Sequence, residues 1–201
     1  MSKRHIPTLA AVCLLVLAAY SPLSGQSGAH TASVDLAQLV QGAQTIVRGQ
    51  VLSAKIEPHP QFPNLQTVVV TLAVTRLFKG DAKSQLVFRQ YVWDPGDFHS
   101  AAGYQKAGEL LLFLNPVSPY GLTSPVGLEQ GRFRVLRDAK GNRYALNGKG
   151  NFGLFAQVAD KAGIRGAPLT KQAREILAKP AGQAPLDAFE EIIQALATVS
   201  R

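Results

Sequence analysis

The chain is poor in the residues that carry most protein chemistry. Its 201 residues include one cysteine, one methionine, one tryptophan and four histidines. A single cysteine excludes an internal disulfide framework and a cysteine-based zinc site. Charged residues are scarce at 17%, while apolar residues reach 46%, a balance that excludes a disordered chain. No HExxH, GxSxG or GxxxxGK[ST] pattern occurs, so the signatures of zinc proteases, nucleophile elbows and P-loops are missing. Acidic residues are the minority, 13 against 21 Lys and Arg, for a net charge of +8. That excess makes nucleic acid, anionic lipid and acidic polymers admissible partners. The length suits one domain with appendages, large enough to bury a core without metal or disulfide staples.

Residues 1–29 read as a secretory signal peptide. Lys3 and Arg4 form a positive start, Ile6 to Tyr20 is nearly all apolar, and small residues follow up to Ser27-Gly28-Ala29. The apolar run is short for a bilayer-spanning helix, which needs roughly 20 residues; a retained N-terminal anchor is the alternative. Cleavage before His30 removes two positive charges, no acid and Cys13, leaving 172 residues at +6 without cysteine. Thiol catalysis and Fe–S clusters are then excluded, and no transmembrane helix is expected. The location implied is secreted or periplasmic.

Along the rest of the chain, Ser33 is placed to cap a short helix over Val34 to Gly42. Thr45 to Ile56, Gln66 to Phe78 and Gln85 to Trp93 read as strands rich in β-branched residues. In the second of them Val68, Val70 and Leu72 alternate with Thr67, Thr71 and Ala73. Leu110 to Leu114 is a continuous apolar run, expected to be buried on both sides. Arg132 to Leu136 and Arg143 to Leu146 flank a turn at 138–142 and form a hairpin. Helical spacing returns at Thr170 to Lys179 and Leu186 to Val199. The class expected is mainly β, a small antiparallel OB-like β-barrel with a short N-terminal helix and C-terminal helices. The domain would span 33–153 and the helical segment 154–201, either docked or detached.

The strand Ile46-Val47-Arg48-Gly49-Gln50-Val51, followed by a Val/Thr-rich strand ending in Leu77-Phe78-Lys79-Gly80, resembles the OB-like barrel of the tissue inhibitors of metalloproteinases and the netrin modules. The likeness runs from Ala37 to Asp94. With Gly108-Glu109-Leu110-Leu111-Leu112-Phe113-Leu114 and Gly131-Arg132-Phe133-Arg134-Val135, most of 33–150 is also similar to uncharacterised bacterial exported proteins. The first resemblance implies a protease-regulating module. Those inhibitors chelate zinc through an N-terminal cysteine, however, and a chain beginning near His30 has none.

Candidate chemistry is sparse. Asp94, Asp97 and His99 share a polar loop and could ligate a metal, which would support a metal-dependent enzyme, but no regular element fixes them on one face. A solvated loop is the plainer reading, and no cofactor is expected. Gly148-Lys149-Gly150-Asn151-Phe152-Gly153 matches GxGxxG without the βαβ setting of a dinucleotide site, so these are read as loop glycines. Glu190 and Glu191 read as the solvated face of an amphipathic helix. The basic residues concentrate between 132 and 149. Arg132 and Arg134 share one strand face, with Arg137 and Arg143 nearby, and Arg89, Tyr91 and Trp93 form a second cationic-aromatic set. The function expected is a non-catalytic exported module. Its partner would be a protein or an anionic envelope polymer, with nucleic acid not expected outside the cell.

Overall fold

Local sequence signals build each element of the chain, seen here in a computed structural model that describes residues 32–92, 96–161 and 164–199. The expected signal peptide, Trp93 and Asp94 lie outside these residues. Helix α1 (Leu36–Gly42) opens on a reciprocal capping box. The Asp35 carboxylate accepts from Gln38 N at 2.9 Å, and the Gln38 side chain accepts from Asp35 N at 2.9 Å. The cap is therefore Asp35 and not Ser33, because only Asp35 has Gln three positions on.

Strands β1 (Thr45–Pro58) and β2 (Gln66–Lys79) pair antiparallel along their whole length, with three register shifts. Gly49 lies at one of them. A Cβ there would stand 2.3 Å from the Ala73 carbonyl oxygen and 2.8 Å from Leu72 Cγ, so the strands cross too closely for any side chain. The Leu77-Phe78-Lys79-Gly80 end of β2 is equally physical. Phe78 is buried, and Lys79 donates to the Val40 and Gln41 carbonyls at 2.8 and 3.4 Å at the negative end of α1. Partial burial lowers the Lys79 pKa.

The remaining elements are β3 (Gln85–Tyr91), the single turn α2 (Asp97–Ser100), β4 (Glu109–Leu114), β5 (Arg132–Arg137), β6 (Arg143–Asn147), α3 (Val158–Lys161), α4 (Lys171–Leu177), β7 (Ala184–Pro185) and α5 (Leu186–Val199). The fold is mainly β, as expected: one seven-stranded antiparallel sheet in the order β3-β2-β1-β4-β5-β6-β7, with helices at both ends of the chain. It is not a closed barrel. An apolar sheet face can be buried by closing the sheet or by a covering layer, and here the layer is helical. The two-residue β7 runs straight into α5, whose Phe189, Ile192 and Ile193 pack with Ile46, Leu111, Phe113 and Phe133. The Phe133 ring lies 5.0 Å from that of Phe189 and 5.5 Å from that of Phe113. The C-terminal helices are thus docked.

The opposite face holds a second cluster, with Val47, Val68, Val70, Leu72, Phe88, Leu110, Leu112 and Leu114. β4 therefore contributes Leu111 and Phe113 to one core and Leu110, Leu112 and Leu114 to the other, as its unbroken apolar run implied. On the β3 side, residues 115–125 reach across by isolated bridges, Arg89 to Leu122 and Leu114 to Pro125, and not by a strand. Among the described residues, no helix is long and apolar enough to cross a membrane.

Gly49→Ala is expected to cost about 1–3 kcal/mol through overpacking. Urea unfolding should show a lower midpoint at unchanged slope; an unchanged midpoint would mean the hairpin crossing relaxes freely.

Candidate functional site

Strand β5 divides its side chains between two environments. Phe133 is fully buried under the helices, while Arg132 and Arg134 project from the other face, opposite Leu112 and Leu110 of β4. Arg132 is immobilised. Its guanidinium donates to the Ala102 carbonyl and the Glu129 carboxylate, and its Cζ stands 4.8 Å from the Tyr104 ring centroid. Tyr104 is itself buried, donates its hydroxyl to Gln90 Oε1 at 2.7 Å and meets Phe88 edge-on. Burial pushes the Tyr104 phenol well above its usual range, and the nearby Arg132 charge offsets this only in part.

Residues 101–108 form a strap over this face. Ala101, Ala102 and Ala107 adopt left-handed backbone angles, with φ of 48°, 54° and 65°. Such conformations cost of order 1–3 kcal/mol each and persist where the surroundings hold them. Here Arg132 grips Ala102, and the strap's end is pinned to β1 through Ala107 N to Val51 O at 2.8 Å and Val51 N to Gly108 O at 2.9 Å.

Between strap and sheet lies an open cleft of about 400 Å³. Its walls include Gly103, Gln105, Gly108 and Gly148 with Glu109, Glu129, Arg132 and Arg134. Both carboxylates are already engaged, Glu129 by Arg132 and Glu109 by Arg48 and Arg137. Arg134 is exposed and has no ion-pair partner among the described residues. The cleft thus presents one uncompensated guanidinium beside glycine-walled backbone.

The basic stripe expected from the sequence does not form one free surface. Arg137 pairs with Glu109 at 3.2 Å, and Arg143 pairs with Asp187 at 3.0 Å and reaches Glu109 at 4.0 Å. Arg89 is bound to Glu57 at 2.6 Å and donates to Thr67 Oγ1 at 2.7 Å. Tyr91 is half-buried on β3 opposite Thr67. Asp97 is half-buried and His99 exposed in α2, while Asp94 lies outside the described residues. Among the described residues, no three His, Cys, Asp or Glu side chains converge as metal ligands. The GxGxxG segment is a run of turns, with positive φ at Gly150, Asn151 and Gly153.

The largest correction concerns α5. Glu190 is not on a solvated face: its side chain is 1% exposed, held by Arg48 Nε at 2.9 Å and by Arg76 at 2.5 Å. Glu191 accepts from Thr170 N and Oγ1, both at 2.6 Å, at the start of α4. Both carboxylates are consumed by folding. The strap and Tyr104 were missed as site components; Gly103 and Gly108 in the long loop were the available signal.

No family model, curated protein or solved structure matches the chain. The barrel resemblance therefore rests on its quoted motifs alone.

Two outcomes test this geometry. Glu190→Ala removes the carboxylate shared by Arg48 and Arg76, leaving Arg48 with Glu109 alone, and should destabilise by about 1.5–3 kcal/mol in urea unfolding. Tyr104 sets an alkaline limit. Its folded pKa lies above its unfolded value of 10.0, so its contribution to stability is whole below that pH and falls as the pH rises past it. Ultraviolet titration should show one phenol ionising only on unfolding, and Tyr104→Phe should remove that component.

Proposed function

We propose that the protein is an exported binding module without catalytic machinery, and that the cleft between the 101–108 strap and β5 takes an anionic group carried by an envelope or extracellular partner. The observation that carries this reading is Arg134, exposed, without a partner among the described residues, and set beside a rigidly held Arg132. A planar guanidinium matches a carboxylate or sulfate oxygen pair. Gly103 and Gly148 lack the Cβ that would displace Arg132 and Glu129, so that ion pair can sit tightly in the cleft wall. The three left-handed alanines support the reading, since backbone strain collects where a binding surface must keep its shape. Export follows from residues 1–29 and accounts for the chain's independence from thiol chemistry.

Titrating polygalacturonate into protein expressed from the full 201-residue sequence tests the proposal. Binding should weaken as salt rises. Arg134→Ala should lower affinity roughly tenfold, the worth of one charged hydrogen bond. Arg137→Ala, which removes a cation already committed to Glu109, should change affinity far less. Affinity indifferent to salt and to Arg134 would overturn the assignment.

A further inference from the structure

The two edges of the sheet are finished very differently. β7 is two residues long, ends in Pro185 and is continuous with α5, so it offers almost no ladder to a newcomer. β3 has none of these protections. Its register with β2 is unbroken from Thr67–Tyr91 to Ala73–Gln85, whereas the β1–β2 pairing shifts three times. Gln85 to Phe88 carries no lysine, proline or charge, and Val87 is 59% exposed.

Backbone direction along β3 follows from bonds at its two ends. Val74 N donates to Ser84 O and Val92 N donates to Gln66 O, so even-numbered residues face β2. Arg89 O accepts from Thr123 N at 2.9 Å, so odd-numbered residues face outward. Leu122 already sits beside Arg89 as a parallel bridge, which makes one rung of an eighth strand. The chain then turns away, with Gly121 N donating to Ser118 O and Ser118 N to Leu122 O. The outward N–H and C=O of Gln85 and Val87 have no partner among the described residues. Val87 lines a slot of about 430 Å³ between β3 and the 117–123 segment, which also takes in Thr45, Val69, Asp81 and Leu114 and has exposed Val87 and Val117 at its sides.

From this edge we infer that β3 is a docking site for an extended, apolar and non-acidic peptide segment of a partner protein, which adds as a strand at Gln85 and Val87. Paired backbone donors and acceptors at strand spacing call for another backbone, not a sugar or a lipid. The flanking valines select apolar or β-branched side chains. Of the two charged residues lining the slot, Arg89 is committed to Glu57, and exposed Asp81 stands at the end nearest the β2–β3 turn, where it disfavours an acidic side chain. The bridging Leu122 shows that a neighbouring chain fits beside β3 at this point. The site is separate from the Arg134 cleft and would survive the failure of that assignment.

The test is selection of random phage-displayed peptides on protein expressed from the full sequence, counter-selected on Val87→Pro. Proline there deletes only an outward N–H, so the β2 ladder stays intact; Val87→Lys is the second variant should that chain not fold. Recovered peptides should be extended, rich in β-branched residues and free of proline. Each should slow hydrogen exchange at the Gln85 and Val87 amides and bind about tenfold more weakly to either variant. Recovery of only charged peptides that ignore Val87, or of none dependent on it, overturns the inference. Exchange protection of those two amides that rises with protein concentration, without peptide, also overturns it and assigns the edge to a second copy of the chain.

Discussion

Glu190 enters the interior from α5 between two arginines of the first hairpin, Arg48 and Arg76. A carboxylate buried to this degree is tolerated only with opposite charge in contact. The helix can therefore dock in one place, where Phe189, Ile192 and Ile193 also meet Phe133 and Leu111. Arg48 continues the chain of charges to Glu109 at 3.0 Å, and Glu109 draws in Arg137 from β5 and Arg143 from β6. One network thus joins the first hairpin, the central strand, the second hairpin and the C-terminal helix.

That network also decides what is left for recognition. Pairing removes acids and cations in equal number, so the net excess of +8 survives on exposed lysines such as Lys55, Lys83 and Lys140, while the arginines of the expected stripe are mostly committed. Arg89, Arg132, Arg137 and Arg143 all have acidic partners. Arg134 stands apart because β5 alternation turns it away from the helices, and Glu129 is taken by Arg132. Among the charged residues that line the cleft, Arg134 is accordingly the one cation without an acidic partner among the described residues. The cleft's strap is held from below by Arg132 and Tyr104, so its geometry is set before any ligand arrives.

The sheet's openness follows from the same competition. Closure would have buried both faces without help, but α5 covers one face and occupies the flank where β7 ends. The β3 edge is left with a single rung from Leu122. A barrel would have had no such edge.

Much of the fold was legible because it obeys local rules. Period-two alternation marked β2, an unbroken apolar run marked β4 as doubly buried, and the 138–142 turn marked the β5–β6 hairpin. The Gly49 and Leu77–Gly80 motifs were visible as spacing, although their cause, a close strand crossing and a lysine on a helix end, was not. The site was less legible. Arg132 and Arg134 were found by alternation, yet their fates diverge through contacts with residues far away in sequence. Sequence alone determined the β-rich class, the strand faces, the absence of cysteine beyond Cys13 and the basic balance, since each is a property of composition or of neighbours a few residues apart. Tertiary structure alone decided that the sheet stays open, that Glu190 is buried, and that Arg134 has no counter-charge among the described residues. Burial and ion pairing depend on which distant side chains share a space, and no local period records that.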